Sequence, residues 1–99
     1  MIIMDKRQEL LQKLQILVQE IDKAKNIVDD EKNIYLNNYK SGIENVIAKL
    51  QDGTLPASKG GLIGTMRGIS EYDSLACIKE LYDAASDVDL FYSKECHEW

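Results

Sequence analysis

One stretch, residues 52–68, most constrains what this chain can fold into. It reads Asp52-Gly-Thr-Leu-Pro-Ala-Ser-Lys-Gly-Gly-Leu-Ile-Gly-Thr-Met-Arg-Gly68 and holds the only proline, Pro56, and five of the six glycines. No Gly or Pro occurs from residue 5 to 41. The helix-breaking residues are thus concentrated in one place, with helical pattern on both sides.

The first half carries two apolar stripes. Leu10, Leu14, Leu17, Ile21, Ala24 and Val28 fall at alternating spacings of four and three, the signature of one buried helix face. Leu11, Val18 and Ile27 widen the stripe, as a globular core requires. The Asp5-to-Gln8 segment has the form of a capping box. A second stripe runs Leu36, Tyr39, Ile43, Val46 or Ile47, and Leu50. Between them lies Asp29-Asp30-Glu31, three carboxylates that suit the positive end of a helix dipole. A break near residues 28–30 is therefore expected, giving an antiparallel hairpin of two similar helices. The alternative is one continuous helix over residues 5–51, packed against another chain.

After Leu50, Asp52-Gly53 ends the second helix and Leu55-Pro56 forces an extended step. A short helix is expected from about Leu62 to Glu71. Asp73 then caps a last helix with apolar positions Leu75, Ile78, Tyr82, Ala85, Tyr92, Cys96 and Trp99. The expected fold is all-α: a single domain over residues 1–99 forming an antiparallel four-helix bundle, three long helices plus one short glycine-rich helix. At 99 residues the chain can bury one modest core.

Gly60, Gly64 and Gly68 are spaced by four. On a helix they would make a bare stripe where another backbone can approach; otherwise Gly60 and Gly61 are loop, and only Gly64 and Gly68 touch a neighbour. Ser58-Lys59-Gly60-Gly61 lacks the order of a phosphate-binding loop.

Charge is unevenly spread. Residues 1–70 carry ten basic and nine acidic groups, whereas residues 71–99 carry two basic and eight acidic groups. The net charge of −5 therefore comes from the last third. This disfavours nucleic-acid binding, which needs Lys and Arg against phosphates, and favours a basic protein partner. On the last helix Glu80, Asp83, Asp87 and Glu98 share one sector opposite the core stripe, with Phe91 at its border and Leu90 flanking it. Carboxylates beside an aromatic have the composition of a protein-binding patch, and the plainer alternative is a solvated face. Asp89 falls on the apolar side, where a carboxylate needs a partner. Arg67 is the candidate for a structural ion pair.

No Ser/His/Asp or Cys/His arrangement points to catalysis. His97 with Glu95, Cys96 and Glu98 offers ligand types, but neighbouring helical side chains diverge by about 100°, so no metal and no cofactor are expected. Cys77 and Cys96 are expected as reduced thiols. Tyr92 and Trp99 would cover the bundle end. No apolar run reaches the roughly 18 residues a membrane span needs, and Met1-Ile-Ile-Met4 is too short for a signal peptide. A cytoplasmic location is expected.

The order of these pieces resembles the small immunity proteins that protect bacteria from their own pediocin-like bacteriocins. The comparable part is Leu55-Pro56, then Leu62-Ile63-Gly64-Thr65-Met66-Arg67-Gly68-Ile69-Ser70, then the helix to Tyr92. The resemblance implies a cytoplasmic antiparallel four-helix bundle whose C-terminal half selects the partner. Those proteins are commonly basic and this chain is acidic, which suits an immunity protein that masks a basic toxin surface. Two functions follow as expectations: a toxin-neutralising binding protein using Glu80, Asp83, Asp87, Phe91 and Glu98, or a structural or regulatory adaptor, monomeric or homodimeric, such as an accessory subunit.

Overall fold

A computed structural model describes residues 6–55 and 64–96, all of whose regular elements are helices: α1 (Lys6–Lys25), α2 (Asp30–Asp52), α3 (Thr65–Ser70), α4 (Asp73–Ala76) and α5 (Lys79–Glu95). The break expected near residues 28–30 is present at residues 26–29, so the continuous helix over residues 5–51 does not form. Asp29 adopts extended backbone and its side chain accepts from the Lys32 backbone N–H, 2.9 Å, capping α2. Asn33 Nδ2 donates back to the Lys25 carbonyl, 2.7 Å, closing the end of α1. Gly53, at φ 82°, ends α2 with its N–H on the Lys49 carbonyl. The capping box at Asp5 lies outside the described residues.

α1 is the central helix, packed against both α2 and α5. Lys40 reaches Asp22 at 2.9 Å and Asn33 reaches Lys25, so α1 and α2 run antiparallel. Lys13 reaches Asp87 at 2.9 Å, while Glu20 and Glu80 line one groove, so α5 runs antiparallel to α1 as well. The α1 stripe of Leu10, Leu14, Leu17, Ile21 and Ala24 is fully buried, as its spacing predicts, whereas Val28 and Ile27 fall beyond the end of α1, the first half-buried and the second exposed. Leu36, Ile43 and Leu50 of α2 meet it. Each such leucine removed from water contributes roughly 1.5–3 kcal/mol, which makes this stripe the base of the fold.

The last third differs from expectation. The segment after Asp73 is two helices, broken at Cys77–Ile78, and Tyr72 rather than Asp73 is the residue before the first. On one continuous helix Leu75 would sit roughly 120° from Leu81 and 140° from Val88. The extended backbone at Ile78 resets the phase, and all three side chains become fully buried. Tyr82, assigned to the core by unbroken periodicity, is turned outward and Leu81 takes its place. The all-α expectation holds, whereas α3 and α4, only six and four residues long, do not establish the fourth helix of a bundle.

Candidate functional site

Two features of α5 bear on function. Its inner face anchors α3. Its outer face, with α1, forms a groove.

Asp89 projects from the inner face and is 2 % exposed. Its Oδ1 accepts from the backbone N–H groups of Gly64, 3.2 Å, and Thr65, 3.1 Å, and its Oδ2 from Met66 N–H, 3.0 Å. The Thr65 hydroxyl offers its one proton to Asp89 Oδ1 at 2.6 Å, with the Ala85 carbonyl at 2.8 Å as the other acceptor. The carboxylate thus serves as a cap supplied from a distant helix, placing negative charge at the positive end of α3. The Arg67–Asp89 ion pair expected from sequence is absent. Arg67 is exposed, and no ion pair among the described residues joins it to Asp89. Backbone N–H groups satisfy Asp89 without the desolvation cost of burying a guanidinium.

The other side of α3 rests on α2. Tyr39 donates its hydroxyl to the Thr65 carbonyl, 2.8 Å, and Tyr35 donates to the Gly68 carbonyl, 2.6 Å. Burial, with the Asp89 carboxylate adding to it, pushes the Tyr39 phenol well above its ordinary value, so it remains a donor. Gly64 takes φ 94°, and Gly68 lies close against the Tyr39 ring. Of the two described glycines of the stripe, Gly68 makes the expected close approach and Gly64 serves by its backbone conformation; Gly60 and Gly61 lie outside the described residues. Leu62, the expected start of the short helix, also lies outside them.

On the outer face, Glu80, Asp83 and Asp87 come together as their spacing predicts. With Glu20 of α1 they rim an open groove of about 500 Å³. Its apolar part is Ile16 of α1 with Ala84 and Leu90 of α5. Ile16 and Leu90 are half exposed, at 51 % and 50 %. Phe91 is not the exposed anchor that the sequence suggested. It packs half-buried on the core, and Lys13 covers it with its ammonium 5.2 Å from the ring centre. The same ammonium pairs with Asp87. Glu20 pairs with Lys23 at 3.1 Å, whereas Glu80 and Asp83 make no ion pair among the described residues. Glu98, His97 and Trp99 lie outside the described residues.

Sequence reasoning missed Ile16 and the central place of Leu90. Ile16 stands off the α1 core stripe between Leu14 and Leu17, so its exposure was readable, but its pairing with α5 was not. Leu90 follows Asp83 by seven residues and so shares the acidic face rather than flanking it.

Among the described residues no cluster of His, Cys, Asp and Glu could hold a metal ion, and no helix is long and apolar enough to cross a membrane. Both cysteines are free thiols, Cys77 exposed and Cys96 buried. Burial pushes the Cys96 thiol up to about 11 from its ordinary 9.0, keeping it protonated at neutral pH. A thiol reagent at pH 8 is therefore expected to label Cys77 in the native chain and to reach Cys96 only after denaturation, as read by mass spectrometry. Rapid native labelling of Cys96 would contradict the packing at this end of α5.

Compared with known proteins, the chain matches no family model, no curated protein and no solved structure.

Proposed function

We propose that this protein is a non-enzymatic binding protein that acts in the cytoplasm by engaging a basic protein through the α1/α5 groove, in the manner of an immunity protein that neutralises a toxin. The observation that carries the reading is the juxtaposition in one groove of Glu80 and Asp83, which make no ion pair among the described residues, with exposed Ile16 and Leu90. Charge of one sign around a small apolar floor steers an oppositely charged partner and then gives it something to bury. The resemblance in element order to bacteriocin immunity proteins supports the toxin-neutralising form, and their bundle fold is part of the proposal. The adaptor alternative drew its support from a continuous helix over residues 5–51, and α1 and α2 are separate helices.

The test is to express the polypeptide encoded beside this chain's gene, alone and together with the chain. The chain is expected to relieve its toxicity and to bind it. Asp83→Lys should weaken association about tenfold at low salt, chiefly through the association rate. Glu44→Lys, an equal charge change at an exposed position of α2, should leave it unaltered. Unchanged association of the Asp83→Lys variant would remove the groove from the proposal. Binding without protection would remove toxin neutralisation.

A further inference from the structure

The groove between α1 and α5 has the form of the space that a further helix fills in a bundle, because two antiparallel helices make its walls. Leu90 lies ten positions after Glu80 on α5, about 15 Å along the axis, or nearly three helical turns. The exposed apolar residues Ile16 and Leu90 come one from each wall, and carboxylates stand beside them. A cation already sits beside the groove, at its Asp87 edge. Lys13 places its ammonium against Asp87 and over the Phe91 ring, so this edge accepts an ammonium between a carboxylate and an aromatic face.

We propose that the groove takes a basic amphipathic helix of a partner protein, with its apolar stripe on Ile16 and Leu90 and its Lys or Arg residues on Glu80 and Asp83. Lys13 is the chain's own occupant of the Asp87–Phe91 edge and competes with the partner's cation there. The choice of occupant follows from charge complementarity. A second copy presenting the same face would set carboxylates against carboxylates, and nucleic acid or an anionic lipid surface would be repelled. A helix fits where a strand does not, because the walls offer side chains rather than a sheet edge with unpaired backbone groups. The inference rests on the reading of this face as a protein-binding groove and adds the partner's secondary structure and charge pattern.

The probe is a stapled helical peptide of about 14 residues, nearly four turns, with a leucine stripe flanked by lysines. Affinity is read by fluorescence anisotropy and location by amide chemical shifts of the full chain. The peptide is expected to bind, with shifts confined to α1 and α5. A scrambled peptide of equal charge should bind about tenfold more weakly, since it lacks a continuous stripe. Asp83→Lys and Leu90→Ser should each weaken binding about tenfold, and Lys13→Ala should strengthen it a few-fold by freeing Asp87 and Phe91. Leu90 is half exposed, so Leu90→Ser should keep the native helical circular dichroism spectrum. Equal binding of the scrambled peptide, indifference to Leu90→Ser, or shifts centred on α2 would each overturn the proposal. If the peptide binds as described but the neighbouring polypeptide does not, the toxin-neutralising reading fails and this inference stands. If the neighbouring polypeptide needs Asp83 but the helical peptide is ignored, this inference fails alone.

Discussion

Asp89→Ala is expected to lower the stability of the folded chain by about 3–5 kcal/mol, measured by urea unfolding followed by circular dichroism. Three backbone N–H groups lose their acceptor at once, and the Thr65 hydroxyl is left with the Ala85 carbonyl alone. A buried donor left unpaired costs roughly 1–3 kcal/mol, and water entering the vacated space holds the total below the simple sum. Marginal domains are stable by only about 5–15 kcal/mol, so the loss is a large fraction of the whole. Asp89→Asn should fall between wild type and alanine. Its amide oxygen can still accept, but its NH2 group then faces the N–H of either Met66 or Gly64 and Thr65. A loss below about 1 kcal/mol for the alanine variant would show that α3 is held chiefly by apolar packing through Ile69.

Gly68→Ala is expected to destabilise by about 2–3 kcal/mol, against the direction that helix propensity alone predicts. In an exposed helix interior this change stabilises by roughly 1 kcal/mol. Here an added Cβ would lie 2.5 Å from Tyr39 Cε2 and 2.7 Å from Cδ2. The ring cannot simply swing aside, because its hydroxyl holds the Thr65 carbonyl at 2.8 Å. Either the bond breaks or α3 moves away from α2, and overpacking of this kind costs about 1–3 kcal/mol. A double-mutant cycle isolates the cause: in a Tyr39→Ala background the Gly68→Ala penalty should largely vanish. A stabilising Gly68→Ala in the wild-type background would refute the close approach.

Both predictions concern one seat. Asp89 of α5 holds the N–H end of α3, and Tyr35 and Tyr39 of α2 hold two of its carbonyls. A six-residue helix has no independent stability, so its place comes from these partners. The seat lies on the inner face of α5, and the acidic groove lies on the outer face. Residues 64–68 therefore support the helix that carries Glu80, Asp83 and Leu90 without touching the groove they form.

Legibility in the sequence tracked the distance over which each determinant acts. The α1 core stripe, the helix start at Asp29-Asp30-Glu31 and the stop at Gly53 depend on residues within a few positions of one another, and all three were readable. The break at Cys77–Ile78 was not. Its two halves each keep helical spacing, and only the need to bury Leu75, Leu81 and Val88 against one core decides the change of phase. The acidic cluster at Glu80, Asp83 and Asp87 was readable because it lies on a single helix. Its apolar neighbour Ile16 was not, because that pairing joins residues far apart in the chain.

By itself, then, the sequence determined an all-helical chain and a last third that carries the net negative charge, and it favoured a hairpin over one continuous helix in residues 5–51. These follow from hydrophobic period, helix-end chemistry and charge count, all local properties. Tertiary structure alone decided what Asp89 binds, which glycine must be bare, and which apolar residue stands beside the carboxylates. Asp89 had a charged candidate in Arg67, yet three N–H groups and a hydroxyl brought in by the fold satisfy it instead. A buried charge takes the donors that packing delivers to it, and no spacing along the chain records which those will be.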